Sequence, residues 1–433
     1  MTFLTEAVDG IVPARIVRLE RSRSEDFVEV DELVWSTRRV EERARLGVEA
    51  LDFSWAVGVD VPTEGGARLG AVASALSFDL PVPGGRVNAA GLTCVGVRPE
   101  YRGRGFLRAM IARHFADCRD REVPVSLLFA SEMSIYGRFG YGLGSTGVTL
   151  RLPRGAALRP LPQGGAKVEA RFETGSFEAH GAVIEAIDRQ LGHGPSARPG
   201  WTGLTSPARQ RLLFQDEGHK DLALEPWRVL IVSRDGEPTG YALVRRESKW
   251  DGDLPAGTAT VRVAQALDPA SGHELWRQLL SLPLVAVIET PPLPLDHPLL
   301  HWLEDWRAGR PAWGDFEHVR LVDVPAALRA RRYAAPLDLR LAVRDRLLGH
   351  NEGVWRLRGG LDGAEVAKVA ELTDDADADL ALDVRELGSL YLGGVTATSL
   401  AGAGLVAEAT AGAVGLAARA FAAERAPGTP HPF

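Results

Sequence analysis

The stretch from Arg86 to Ala130 constrains this chain more than any other. RVNAAGLTCVGV (86–97) reads as a strand and RPEYRGRG (98–105) as a turn. From about Gly103 to Arg119 the pattern is helical, with Leu107, Met110, Ile111, Phe115 and Cys118 recurring at three- and four-residue spacing. Pro124 breaks the chain, and VSLLFA (125–130) is a short, wholly apolar strand. Strand, helix and strand joined this way form a crossover, so strands 88–97 and 125–130 are expected to lie side by side and parallel.

The turn sets Arg102 and Arg104 beside Gly103 and Gly105. A helix start leaves about four backbone N–H groups unpaired and carries partial positive charge, and glycine lets a bulky anion come close. The amides of Gly103, Arg104, Gly105, Phe106, Leu107 and Arg108 would converge on a pyrophosphate, with both arginines adding charge-assisted bonds. A solvated loop that merely opens a helix would show the same spacing. The preceding strand favours a ligand. CVGVRP stops pairing at Arg98-Pro99, leaving backbone groups at Val95 and Val97 for an extended, amide-bearing molecule. Phosphate at the helix and amides along the strand together describe coenzyme A.

The whole chain sets the bounds. At 433 residues it exceeds one core, and a net charge of −7 argues against a nucleic-acid partner. Two cysteines, Cys94 and Cys118, allow neither a disulfide framework nor a zinc site, and no metal is expected. MTFLTEAVDG lacks a basic segment followed by an apolar one, so no signal peptide is expected and the protein reads as cytoplasmic. Residues 398–424 are apolar but rich in Ala and Gly and interrupted by Glu408 and Arg419. They read as packed helix rather than a membrane span, and no membrane partner is expected.

The chain divides at a Pro/Gly cluster (158–167) and again near RAGRPAWGD (307–315). Domains are expected over 1–158, 159–312 and 313–433, with mixed α/β character throughout. An acidic helical segment spans 24–47. Strands RVLIVS (228–233), GYALVRRES (240–248) and TATVRVAQAL (258–267), helix ELWRQLLSL (274–282) and strand LVAVIET (284–290) repeat the plan of the first domain. The junction ALDPASGHE (266–274) has no Arg/Gly cluster, so this half should keep the architecture without the anion seat. Short strands at 337–345, 353–360 and 378–386 precede the Ala/Gly-rich segment. GLGSTG (142–147) and GAGLVA (402–407) mimic dinucleotide-binding fingerprints. The first leads into a strand and the second opens a helix too near the chain end for a βαβ unit, so both are decoys.

The segment V-x-V-x-P-x-x-R-G-x-G around Gly103 and Gly105 resembles the acetyl-CoA signature of GNAT N-acyltransferases, with Glu100 where Gln or Arg is usual. LLFASEMSIYGRFGYG (127–142) is similar to the Eis-type (enhanced intracellular survival) acetyltransferases. That resemblance implies an α+β chain: tandem GNAT folds, the second degenerate, followed by a sterol-carrier-protein-like C-terminal domain. It implies an acetyl-CoA-dependent N-acetyltransferase acting on primary amines of polycationic small molecules such as aminoglycosides, and a homohexamer. Lysine side chains or polyamines are alternative acceptors, and a non-catalytic acyl-CoA- or lipid-binding protein is the alternative of another class. The acetyl-CoA contacts implied are Val95, Gly96, Val97, Gly103 to Arg108, Ser131 and Glu132, with Tyr136 as general acid and the Phe433 carboxylate as general base.

The residues themselves support Tyr136. Transfer from a thioester releases a thiolate of conjugate pKa ~8.5, to which a phenol of pKa ~10 can donate a proton or a hydrogen bond. Phe433 would not be chosen on sequence, because chain ends fray and an α-carboxylate of pKa ~3.5 is a weak base for an ammonium. His431 is a competing base. An amine acceptor needs an acidic lining, which Glu25, Asp26, Glu29, Asp31 and Glu32 can supply. Asp26 and the neighbouring Trp35 are taken as the acceptor-binding pair. Cys94 reads as a small core residue rather than a nucleophile.

Overall fold

The computed structural model describes residues 14–36, 40–161, 168–194, 197–204, 206–215, 224–373 and 377–433. The N-terminal stretch read for a leader and residues 162–167 of the first boundary cluster lie outside them. The chain forms two compact units: Met1–Gly144 with Glu317–Ala423 and Phe433, and Ser145–Phe316 with Glu424–Pro432.

The first unit begins with β1 (Arg15–Arg18), α1 (Ser24–Trp35), α2 (Glu41–Ala50), β2 (Val57–Thr63), β3 (Gly66–Val82) and β4 (Gly85–Val97). Then come α3 (Phe106–Asp120), β5 (Val125–Phe129), α4 (Met133–Tyr136) and β6 (Gly142–Leu143). The acidic segment expected as one helix is two, because Ser36 takes a left-handed backbone (φ 52°) and ends α1. Helix α3 buries Met110, Ile111, Phe115 and Cys118 of the predicted stripe against the sheet, together with Phe106, while Leu107 is half-buried. Each such large apolar side chain contributes about 1.5–3 kcal/mol. Strands β4 and β5 are parallel neighbours, as the crossover required.

The second unit contains β7 (Thr146–Thr149), β8 (Arg151–Pro153), β9 (Val168–Thr174), α5 (Phe177–His193), α6 (Pro207–Leu212), β10 (Arg228–Arg234) and β11 (Glu237–Arg246). It continues through β12 (Trp250–Asp251), β13 (Leu254–Pro255), β14 (Thr258–Ala266), α7 (Pro269–Leu280), β15 (Val287–Glu289), β16 (Leu293–Pro294), α8 (Leu299–Trp302) and β17 (Ala312–Asp315). Its main sheet runs β8-β15-β14-β11-β10-β9, with β14 and β15 parallel. The junction before the helix is itself helical: α7 starts at Pro269, with Asp268 as its cap.

The chain then returns to the first unit through β18 (Glu317–Leu321), which completes the sheet β1-β2-β3-β4-β5-β18-β6. After α9 (Val324–Ala330) come β19 (Leu337–Arg344), β20 (Gly353–Gly360), β21 (Gly363–Ala370) and β22 (Leu380–Asp383). The last elements are α10 (Val384–Tyr391), α11 (Ala397–Gly402), β23 (Val406–Glu408) and α12 (Ala413–Ala420). The five late strands form the sheet β21-β20-β19-β22-β23. The run 378–386, read as all strand, turns helical at Asp383, whose carboxylate accepts from the Arg385 amide at 3.0 Å. The single helix expected over 398–424 is instead two short helices around β23. Gly404 (φ 73°) and Gly412 (φ 88°) interrupt it, and GAGLVA leads into that strand rather than a helix. Among the described residues no helix is long and apolar enough to cross a membrane.

Candidate functional site

The parallel ladder between β4 and β5 lasts only three pairs, Ala89–Val125 to Gly91–Leu127. Beyond it β4 runs on to Val97 paired only with β3, so its other edge offers free backbone groups. The β3–β4 register slips between Val72 and Ser74, and Cys94 takes φ 50°, a bulge that turns this part of β4. At the point of divergence sits Gly91. A Cβ there would come within 2.5 Å of the rings of Phe433 and Phe78. The Phe433 ring fills that seat, 4.9 Å from Phe78 and 5.0 Å from Phe129 by ring centroids. No sequence signal marked Gly91.

Helix α3 opens on Gly105, left-handed at φ 80°, and no side chain caps it. Gly103 is also left-handed (φ 77°), and a Cβ there would meet no heavy atom within 4 Å. The helix start is therefore uncapped and uncrowded, the condition for an anion seat. A cavity of about 770 Å³ lies over it, lined by Arg102, Gly103, Gly105, Phe106, Leu107 and Arg108. Val95, Val97, Ser131, Glu132, Tyr136 and Trp35 line the same cavity, so most of the expected site is brought together. Gly96, Arg104 and Phe433 are not among its lining. Gly96 lets Val34 of α1 pack close (3.3 Å from a would-be Cβ), and the Arg104 guanidinium stands 5.5 Å from the Tyr101 ring centroid.

Tyr136 ends α4 and is buried, its ring edge-on to Tyr141. Burial, aided by the charge of Glu132, pushes its phenol up to about 12. At neutral pH the hydroxyl keeps its proton and so can donate it in a hydrogen bond.

On the acceptor side α1 distributes its carboxylates unevenly. Asp26 is exposed, paired with Arg23 at 2.9 Å, and does not line the cavity. Glu29 is held by the buried guanidinium of Arg98. Asp31, which sequence reasoning included in the acidic face but did not select, interacts with the Cys94 thiol and the Trp35 indole. Its Oδ1 is buried without a hydrogen-bond partner. Burial, with Glu32 nearby, raises its carboxyl to about 6. Trp35 itself is 46% exposed at the cavity wall.

Comparison with known proteins decides the family. Two models described as acetyltransferase (GNAT) domains match residues 15–144 and 199–321, and a sterol carrier protein domain model matches 324–430. An uncharacterized N-acetyltransferase of Streptomyces avermitilis is 39% identical over 375 residues, covering 86% of this chain and 88% of its own. N-acetyltransferase Eis of Mycobacterium tuberculosis is 33% identical over 365 residues, covering 79% and 83%. The chain belongs to the Eis-type N-acetyltransferases. The crystal structure of Eis1 from Mycobacterium abscessus superposes with a TM-score of 0.77 at 30% identity, covering 96% of this chain and all of that one. The protein is thus an N-acetyltransferase built of tandem GNAT folds and a sterol-carrier-like domain.

The second acetyltransferase fold carries its own cleft. Here β14 and β15 also pair over three residues, Thr258–Val287 to Thr260–Glu289. A cavity of about 250 Å³ opens between β14, the start of α7 and the proline-rich segment after β15. The start of α7 is closed by its own chain. Asp268 accepts from the amides of Ala270 and Ser271 at 3.0 Å and from the Ser271 hydroxyl at 2.8 Å. Burial alone would raise the Asp268 carboxyl, but these bonds and Arg234 outweigh it and hold the group below the usual range. His297 in this cleft is pushed down to about 3 by burial and by Arg198, so it stays neutral.

Tail residues 424–432 belong to this unit. His431, the competing base of the sequence reading, is buried with its Nε2 2.6 Å from Asp188 Oδ2 and does not line the 770 Å³ cavity.

Proposed function

We propose that this enzyme transfers acetyl from acetyl-CoA directly to primary amines of polycationic small molecules such as aminoglycosides. Tyr136 serves as general acid and the Phe433 carboxylate as general base. The observation that carries the reading is one cavity lined both by the uncapped, glycine-bearing start of α3 and by the Tyr136 phenol. Arg102, Arg108 and the α3 amides would hold the donor's pyrophosphate, and the free edge of β4 at Val95 and Val97 its amide arm. When bound, the thioester supplies an activated acyl carbon.

Attack by the amine forms the C–N bond and breaks C–S. The amine's surplus proton leaves toward the Phe433 carboxylate, and the departing sulfur takes a hydrogen bond from Tyr136 Oη. A phenol near 12 facing a thiol of ~8.5 gives up its proton only as negative charge builds on sulfur, so Tyr136 works first as a hydrogen-bond donor. The α-carboxylate is too weak a base to strip a free ammonium. Its main work is to orient the cation, with Trp35 adding aromatic contact from the cavity wall. This reading takes acetyltransferase, acetyltransferase-like and carrier-like domains to divide near residues 158 and 312. It also takes the assembly to be a homohexamer, to be checked by light scattering.

The test is release of CoA thiol from acetyl-CoA in the presence of an aminoglycoside panel, with polyamines and lysine peptides as parallel arms. Amine-dependent release fastest with aminoglycosides is expected. Release only with lysine peptides would replace the acceptor class. Acetyl-CoA binding without amine-dependent release would favour a non-catalytic acyl-CoA-binding protein.

A further inference from the structure

The sterol-carrier-like domain reaches the cavity over α3. Leu347, in the turn between β19 and β20, is one of the lining residues and is 38% exposed. An exposed leucine needs no explanation by itself. The turn that carries this one, however, is fixed from several sides. Asp345 is buried, and its Oδ1 accepts from the Leu347 and Leu348 amides at 3.2 and 3.0 Å. Both its oxygens meet the guanidinium of Arg320, at 2.8 and 2.7 Å, and Oδ2 also accepts from Asn351 Nδ2 at 2.9 Å. Asn351 in turn donates to the Val322 carbonyl at 3.1 Å and accepts from the Val324 amide at 2.9 Å.

Arg320 belongs to β18, inside the sheet of the first acetyltransferase fold, and is fully buried. A Cβ on Gly140, in the segment that follows Tyr136, would lie 2.9 Å from its Nε. Leu348, next to Leu347, packs against the core that holds Phe106, Tyr136 and Phe139. All these residues lie in one compact unit, where a second core joins Leu127 of β5 and Val319 of β18 to Leu387 and Leu390 of α10. A buried ion pair adds little net stability over an apolar pair of the same volume, although removing one member is costly. What the Arg320–Asp345 pair specifies is the position of the turn on the sheet.

We propose that the sterol-carrier-like domain forms part of the acetyl-CoA site: Leu347 covers an apolar face of the bound coenzyme, and Asp345 is the positioning residue that holds it there. The proposal rests on the reading of this cavity as the acetyl-CoA seat. The amides and cations at the start of α3 suit the pyrophosphate, whereas the leucine side chain has no polar group to offer. The parts of the coenzyme it can cover are the adenine ring and the methyl-bearing pantetheine arm, both of which gain by leaving water.

The test is calorimetry of acetyl-CoA with the full-length protein and its variants. Leu347→Ala should weaken binding roughly fivefold, and Leu347→Asp, whose carboxylate would oppose the donor's phosphates, about tenfold or more. Leu347→Met restores a long apolar side chain and should stay within about twofold of the parent. Because Leu347 is exposed, all three should melt together with the parent. Asp345→Asn should weaken binding about as much as Leu347→Ala and add nothing to it in the double variant. If Asp345→Asn fails to fold, the Leu347 series still decides. Adenosine bisphosphate titrated alone tells which face is covered. A loss in Leu347→Ala for this ligand as well as for acetyl-CoA assigns the adenine, and a loss for acetyl-CoA alone assigns the pantetheine arm. Unchanged acetyl-CoA affinity in both Leu347→Ala and Leu347→Asp overturns the proposal, and additive losses in the double variant overturn the positioning role of Asp345. Gly105→Asp separates this proposal from the reading beneath it. If that variant loses acetyl-CoA while the Leu347 variants do not, only the proposal falls. If it also binds as the parent does, the cavity is not the acetyl-CoA seat and both fall.

Discussion

The two acetyltransferase folds of this chain follow one plan and part at the first turn of one helix. In each, a bulged strand pairs in parallel with its crossover partner over three residues and then diverges. In the first, α3 begins at a left-handed glycine with no side-chain cap, under a cavity of about 770 Å³. In the second, the Asp268 carboxylate occupies the start of α7, and the cavity is about 250 Å³. A helix start can be satisfied by its own side chain or by a ligand's anion, but the same amides cannot serve both. The titratable groups diverge likewise. The first cleft has a phenol raised to about 12, whereas the second has an imidazole lowered to about 3.

The largest expected effect is on the chemistry of the first cleft. Tyr136→Phe should lower kcat by about 10²–10⁴-fold while acetyl-CoA affinity, read by calorimetry, stays within about twofold. A fall in affinity matching the fall in kcat would reduce Tyr136 to a packing residue.

Asp31→Asn probes the half-buried carboxylate. Asp31 titrates near 3.8 when exposed and about 6 in the fold, so the fold favours its protonated form and stability is lost as pH rises from about 4 through 6. Above pH 6 the loss is about 3 kcal/mol, at 1.36 kcal/mol per pKa unit. The variant should therefore melt higher than the parent at pH 7.5 and coincide with it below pH 4. Equal Tm values at pH 7.5 would show that Asp31 reaches water.

Exchanging the helix starts tests the comparison itself. Gly105→Asp should weaken acetyl-CoA binding at least tenfold, about 1.4 kcal/mol, and by more than Gly105→Ala, which shares the backbone strain without the carboxylate. If alanine is as damaging as aspartate, strain and not capping separates the two folds.

Gly91→Ala places a methyl group where the Phe433 ring sits. A several-fold drop in kcat with unchanged acetyl-CoA affinity is expected, and a fall in affinity alone would detach Phe433 from the chemistry. The smallest effect belongs to the second fold. Asp268→Ala should cost about 1 kcal/mol of stability, seen as a lower urea midpoint, and leave kcat untouched.

Much of this was legible in the chain because it is written locally. Alternation and three-four spacing mark β4, α3 and β5, and the Arg/Gly run marks the helix start where the cavity opens. The junction before the second helix visibly lacks that run. The Ala/Gly-rich segment 398–424 misled because its periodicity is helical. Two left-handed glycines and pairing with β22 overrode that local preference. Asp26 and Asp31 share one acidic helix, and only packing against Cys94 and Trp35 leaves the second of them half-buried.

Tyr136 entered through the resemblance to the Eis-type acetyltransferases, whereas by itself the sequence determined the crossover units and the glycine-bearing helix start. These follow from backbone conformational preference and short-range spacing. The tertiary structure alone decided that Gly91 seats the Phe433 ring, that Asp31 is half-buried while Asp26 is exposed, and that Asp188 grips His431. Those contacts join residues as many as 342 positions apart, Gly91 and Phe433 being the widest pair. Nothing in local spacing encodes them, because they exist only after separate elements have packed.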